Sequence, residues 1–279
     1  MKIIIALLVL AASMLVGCAN PQFYKYPDYK STVKLGVSEE TISTFTETPA
    51  EDYLIPNSQV FVSGKGKAVS SNLFAVGGVV GALAAVAIDH SLNASEVDNV
   101  ESNLQIKFDA ELTDILKSTA FRQSHILRYE VVQTNETPDI TLLPSARFVA
   151  QPDSHVGLTF RVTARARSHA SGKDGDKNYY YTPIEHHAIA GEGGWADNRA
   201  ALFKQTASKA LSRIAQTIIE DVSGTFNAKL LPERRHIVVS GDNKSILLAE
   251  YPEYSIYMAL TDNEPHSAVF QIVEHLTTR

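Results

Sequence analysis

Arg161, Arg165 and Arg167 are the side chains whose spacing best suits ligand chemistry. Residues separated by two or four share one face of a strand, so their guanidinium groups form a stripe able to bind a phosphate or a carboxylate bidentately. The same stripe fits a solvated sheet face balanced by acids on neighbouring strands. Glu185-His186-His187 is the best metal or acid-base candidate. Adjacent strand residues point to opposite faces, which separates His186 from His187 and leaves Glu185 and His187 as an i,i+2 pair. A zinc site needs a third protein ligand, and neither an HExxH motif nor paired cysteines supply one, so no metal or cofactor is expected. Asp174-Gly175-Asp176 lacks the longer acidic loop and terminal glutamate of a calcium site and reads as a turn. Serine has no G-x-S-x-G setting, and Gly191-Glu192-Gly193-Gly194 has no phosphate-binding lysine. No catalytic residue is assigned. Trp195, the sole tryptophan, is expected to cover the end of the core.

The elements that must position these residues are legible as periodicities. Leu158, Phe160, Val162, Ala164 and Ala166 alternate with Thr and Arg, which predicts a strand over 157–167 with one core face. Ser171 to Asp176 supplies turn chemistry, and 178–190 returns as a hairpin partner. Further strands are expected at 58–64, 125–132 and 140–149, the last interrupted by Pro144, which suits an edge or a bulge. Val97, Val100, Leu104, Phe108, Leu112 and Ile115 predict one amphipathic helix from Ser95 to about Ser118. Phe203, Ala207, Leu211, Ile214, Ile218 and Val222 predict a second, capped by Asp197 or Asn198 and stopped at Gly224. Four short strand-like segments after Pro232 read as a meander, with a short helix as the alternative for the last. The expected fold is α+β, an antiparallel sheet covered by two amphipathic helices, with a small C-terminal β meander.

Met1-Lys2, an apolar run to Val16, and Gly17 directly before Cys18 form a signal-peptide pattern with a cysteine at the cleavage position. Leu15-Val16-Gly17-Cys18 resembles the lipobox of bacterial lipoproteins. That resemblance implies removal of residues 1–17, diacylglycerol on Cys18, and membrane attachment through its acyl chains. Ala19 in place of the aspartate that retains enterobacterial lipoproteins in the inner membrane implies the outer membrane, with the body facing the periplasm. The order of elements over residues 57–224 is loosely similar to the α/β modules of envelope and secretion-accessory lipoproteins.

Loss of residues 1–17 takes the net charge from -6 to -7, because Lys2 goes with them. That acidity argues against nucleic acid as a partner. Cys18 is the single cysteine, so no intrachain disulfide forms and the core alone must hold the fold. Residues 18–56 are expected to be a lipidated tether, ordered near its end, with an end-to-end distance of about 35 Å. Tyr24, Tyr26 and Tyr29 either sit at the membrane interface or pack back on the body. The body proper is expected at 57–228 and a β-rich subdomain at 229–279. Residues 68–88 carry no charge. There Gly77, Gly78 and Gly81 suit a buried Gly/Ala helix, an oligomer or membrane contact, or a span at the lower length limit. The functional expectation is a non-catalytic envelope lipoprotein that binds a protein or lipid partner in assembly, transport or secretion. The alternative is a homo-oligomeric, membrane-contacting or pore-associated lipoprotein that uses residues 68–88. An envelope hydrolase has only the presence of reactive side chains behind it.

Overall fold

The computed structural model describes residues 26, 32–42, 52–63, 94–118, 128–132, 136–150, 155–166, 175–231, 235–240, 243–260 and 268–275. Among them the chain is a mixed α/β fold, with an open sheet of eleven strands and three α-helices. The strands are β1 (Val33–Val37), β2 (Asp52–Leu54), β3 (Val60–Ser63), β4 (Tyr129–Val132), β5 (Ile140–Ala150), β6 (Val156–Ala166), β7 (Gly175–Thr182), β8 (His236–Ser240), β9 (Asn243–Glu250), β10 (Tyr254–Leu260) and β11 (Ala268–Glu274). The helices are α1 (Ala94–Asn103), α2 (Asp109–Lys117) and α3 (Asp197–Val222). The main strand order is β2-β3-β5-β6-β7-β11-β10-β9-β8, and β1 lies between β4 and the start of β5.

The sheet is mixed, which corrects the antiparallel expectation. The pairs β1–β4, β1–β5, β3–β5 and β7–β11 are parallel. Parallel neighbours require long crossovers, and β1 and β3 come from the sequence segments before the first helix, far from their partners in the chain. The C-terminal meander joins the same sheet, since β11 pairs with β7 along six residues from Ala268↔Lys177 to Val273↔Thr182.

Pro144 lies in an interior strand. It is tolerated because β5 changes neighbour around it: Leu35–Val37 pair with Ile140–Leu142, and Val60–Ser63 pair with Ala146–Val149. The Leu142 carbonyl accepts from the Ser38 N–H, and the Ala146 N–H donates to the Gln59 carbonyl. Alternate residues of a strand turn their backbone groups the same way, so the Pro144 nitrogen faces the gap between β1 and β3, where no donor is needed.

The helix expected over Ser95–Ser118 is broken. Between α1 and α2 the Gln59 N–H donates to the Ile106 carbonyl, and the buried Gln59 Oε1 accepts from the Phe108 N–H at 2.6 Å. This loop's backbone bonds to the start of β3 and so leaves the helical ladder, although the side chains keep helical spacing. Leu104, Phe108, Leu112 and Leu116 are fully buried.

Helix α3 runs to Val222 as its periodicity predicts, and Gly224 at φ 78° ends it. Its entrance is irregular. Asn198, Arg199 and Ala200 adopt left-handed φ values of 47°, 56° and 59°, a conformation costing about 1–2 kcal/mol per non-glycine residue. Asp197 holds this turn by accepting from the Gly193 and Asn198 N–H groups at 3.0 and 2.7 Å. Phe203 then packs against Phe148, Phe160 and Phe108 at ring separations of 5.2, 5.9 and 6.0 Å. Trp195 is fully buried beside Phe148, and its indole N–H donates to the Val156 carbonyl at 2.9 Å.

Candidate functional site

Because side chains alternate along β7, Lys177, Tyr179 and Tyr181 point to the face carrying α3, while Asp176, Asn178 and Tyr180 point away. The register agrees: Tyr179 pairs with Val162, and Tyr180 with Arg161. On the α3 face Lys177 and Asp221 are 2 % and 5 % exposed. Lys177 Nζ lies 2.7 Å from Asp221 Oδ2, and the Tyr179 hydroxyl donates to the same oxygen at 2.6 Å. With its proton committed there, the Tyr179 oxygen accepts from the Tyr26 hydroxyl at 3.1 Å. The ammonium also sits 4.2 Å from the centroid of the Tyr26 ring and 5.4 Å from that of Phe270.

Burial pulls the Lys177 ammonium below the ordinary lysine value, and Asp221 opposes that pull. Burial, then the Asp221 charge, pushes the Tyr179 phenol well above its ordinary value. One carboxylate oxygen thus serves an ammonium and a phenol, and a second phenol closes the chain. Charge here is neutralised inside the core, out of contact with solvent, so the centre acts as a fastener. What it fastens is Tyr26, which packs into the hydrophobic core. Of the two placements expected for the tyrosines near Cys18, Tyr26 takes the one against the body. Residues 33–37, expected within the tether, are strand β1, and residues 52–54 are strand β2. Gly36 lets that first strand fit, because a Cβ there would come within 2.9 Å of the Pro138 ring.

A second polar seam runs along α3. Lys209, Arg213, Gln216 and Glu220 recur at i, i+4, i+7 and i+11, one helical face. Lys209 pairs with Glu274 of β11, which also accepts from the Tyr181 hydroxyl. Arg213 pairs with Glu253 and lies 4.5 Å over the Tyr254 ring. The Tyr254 hydroxyl donates to Gln216 at 3.1 Å, and the Tyr251 hydroxyl to the Glu220 carboxylate at 2.7 Å. Burial tends to raise the Glu274 carboxyl, but the hydrogen bonds from Lys209 and Tyr181 outweigh it and hold the group below its ordinary value. Burial raises the phenols of Tyr181, Tyr251 and Tyr254. This seam bolts the meander to the helix.

The arginine stripe does not assemble as one exposed cation surface. Arg161 is 7 % exposed and beside Tyr180, its register partner in β7, while burial lowers its value against a supporting bond from that tyrosine. On the same face Arg147 Nε lies 2.9 Å from Asp52 Oδ1 and an Arg147 amino group donates to Ser63 Oγ at 2.7 Å. Arg165 is exposed and pairs with Asp176 at 3.3 Å. Arg167 lies outside the described residues, as do Cys18, Gly77, Gly78 and Gly81. Glu185 and His187 approach to 3.9 Å, with the imidazole edge-on to Trp195 at 4.8 Å. Among the described residues no group of three or more His, Cys, Asp or Glu side chains could hold a metal.

Strand periodicity could have marked Lys177 as unusual. It alternates with Tyr179 and Tyr181 on one face, and Asp221 falls within the apolar side of α3 next to Ile218 and Val222. A lysine and an aspartate, each on an otherwise apolar stripe, are the sequence trace of a buried pair. Nothing in the spacing joins them to Tyr26. Also among the described residues, no helix is long and apolar enough to cross a membrane. No protein-family model, curated protein or solved structure matches this chain.

Proposed function

We propose that the chain is a lipid-anchored, non-catalytic envelope lipoprotein of the outer membrane, facing the periplasm, that binds a protein or lipid partner in assembly, transport or secretion. The observation that carries this reading is the pairing of the Leu15-Val16-Gly17-Cys18 motif with the burial of Tyr26, eight residues beyond Cys18. Eight residues reach at most about 28 Å when extended, so acyl chains on Cys18 hold the body close to the bilayer. Acyl anchoring suits an acidic body that anionic headgroups repel, each buried CH₂ contributing about 0.8 kcal/mol. In this reading α2 and α3 cover one face of the sheet, and the buried ion pair, committed to the fold, leaves partner binding to the surface.

Metabolic labelling with an alkyne fatty acid tests the anchor. The wild-type chain is expected to carry label and to fractionate with outer membranes, and Cys18→Ser to lose both. Label retained by Cys18→Ser, or absent from the wild type, overturns the reading. Crosslinking in intact cells then identifies the partner.

A further inference from the structure

The two ends of the sheet differ in how they are closed to further pairing. At one end β2 is three residues long and carries Asp52, whose carboxylate turns inward to Arg147. Short edges and inward charges are devices that stop a sheet from growing. At the other end β8 is five residues long, His236-Ile-Val-Val-Ser240, with neither Lys, Arg, Asp, Glu nor Pro in it. Among the described residues it pairs only with β9. Ile237 and Val239, both on one face of β8, are 50 % and 62 % exposed, the two most exposed large apolar side chains described. Among the described residues the edge therefore offers an unblocked row of backbone donors and acceptors, flanked by aliphatic surface that none of their other elements covers.

We propose that β8 pairs antiparallel with β8 of a second copy of this chain, joining the two sheets edge to edge about a two-fold axis at Val238. The strand's own pattern selects this occupant. Antiparallel pairing centred on Val238 sets Val238 against Val238, His236 against Ser240, and Ile237 against Val239 of the other copy. Each exposed aliphatic side chain then meets an exposed aliphatic side chain on the same face, in both halves, so a single register removes all four from water. The facing positions hold no Lys, Arg, Asp or Glu, and the register sets each His236 against Ser240 and not against its own copy, so like charges do not oppose one another across the two-fold axis. Self-pairing through β8 does not depend on the acyl anchor or on residues 68–88.

Sedimentation of the purified full-length protein in detergent, over a range of protein concentrations, tests the pairing. The wild type is expected to form a dimer. Ile237→Lys and Val239→Lys are expected to weaken it by about tenfold or more each, through lost apolar pairing and new charge repulsion across the axis. Their circular dichroism should stay that of the wild type, because both side chains are exposed in the single chain. If either lysine variant misfolds, Val238→Cys gives a separate readout: oxidation should link two copies through that residue, while a cysteine at exposed Leu231 should not. A wild type that stays monomeric at all concentrations, or a dimer indifferent to both lysine substitutions and not captured by Val238→Cys, overturns the proposal. Capture in cells of a different protein at Val238→Cys, with the purified chain monomeric, also overturns it and assigns the edge to that protein.

Discussion

Asp176 and Lys177 are consecutive in β7, and each makes an ion pair, but on opposite faces of the sheet. Asp176 meets Arg165 at 3.3 Å with both side chains over 40 % exposed, whereas Lys177 meets Asp221 at 2.7 Å with both under 5 %. Exposed pairs gain little because water and salt screen them and ordering two long side chains costs entropy. A buried pair costs desolvation of both partners, and its attraction offsets that cost only while both remain. The two pairs therefore teach different things. The outer one decorates a surface, and the inner one makes the β7–α3 contact and the docking of Tyr26 depend on a single carboxylate.

That contrast can be broken most sharply at Asp221. Replacement by Ala strands the Lys177 ammonium and the Tyr179 hydroxyl in the core, and should cost about 3–5 kcal/mol in a urea titration. Lys177→Met with Asp221→Leu should recover most of that loss, since apolar residues of similar size need no partner. Recovery absent from the double variant would mean that Tyr179 and Tyr26, not the lysine, set the cost.

Alkaline pH probes the same face without mutation. Unfolded tyrosines ionise near pH ~10, and burial raises the phenols of Tyr179, Tyr181, Tyr251 and Tyr254 above that value. The folded state then holds more protons than the unfolded one, so stability should fall as pH rises above about 10. Lys177 acts in the opposite sense below that range. Its folded value is lowered, so the penalty of burying the ammonium is lifted as pH rises through that value. Ultraviolet phenolate absorbance should show the buried Tyr179, Tyr181 and Tyr254 ionising only together with loss of circular dichroism. Smooth ionisation in a folded chain would contradict their burial.

Smaller effects sharpen the contrast. Tyr26→Phe removes one buried hydroxyl contact while keeping the ring over Lys177, and should cost about 1 kcal/mol. Limited proteolysis should cut faster near residue 26 in that variant. Arg165→Ala should change stability by less than about 1 kcal/mol, and added salt should erase even that. A larger loss would show that the outer face of β7 is structural in its own right.

Several elements were legible because their signals are local. The alternation of Leu158 to Ala166 marks β6, and the period of Phe203 to Val222 with Gly224 marks α3. The single expected helix over 95–118 was half right. Apolar spacing reports which side faces the core, but the bond from Gln59 that breaks the helix comes from a residue far away in the chain. The missing N–H of Pro144 is a local fact that points to an edge or a bulge, while the gap between β1 and β3 that accommodates it is made by two other strands. The arginine stripe shows the same limit: a strand face fixes direction, not depth, and of Arg161 and Arg165, which share the direction, Arg165 is exposed and paired with Asp176 while Arg161 is buried.

By itself the sequence determined the periodicities, the turn and stop residues, the net charge, and the Leu15-Val16-Gly17-Cys18 pattern with its single cysteine. All are properties of neighbouring residues or of totals. Only the tertiary structure decided that β1 and β3 run parallel to β5, that the meander continues the main sheet through β11, and that Tyr26, Lys177, Tyr179 and Asp221 share one buried chain of hydrogen bonds. Those pairings join residues as far apart as Tyr26 and Asp221, and an interaction between such positions leaves no mark in either one's local spacing.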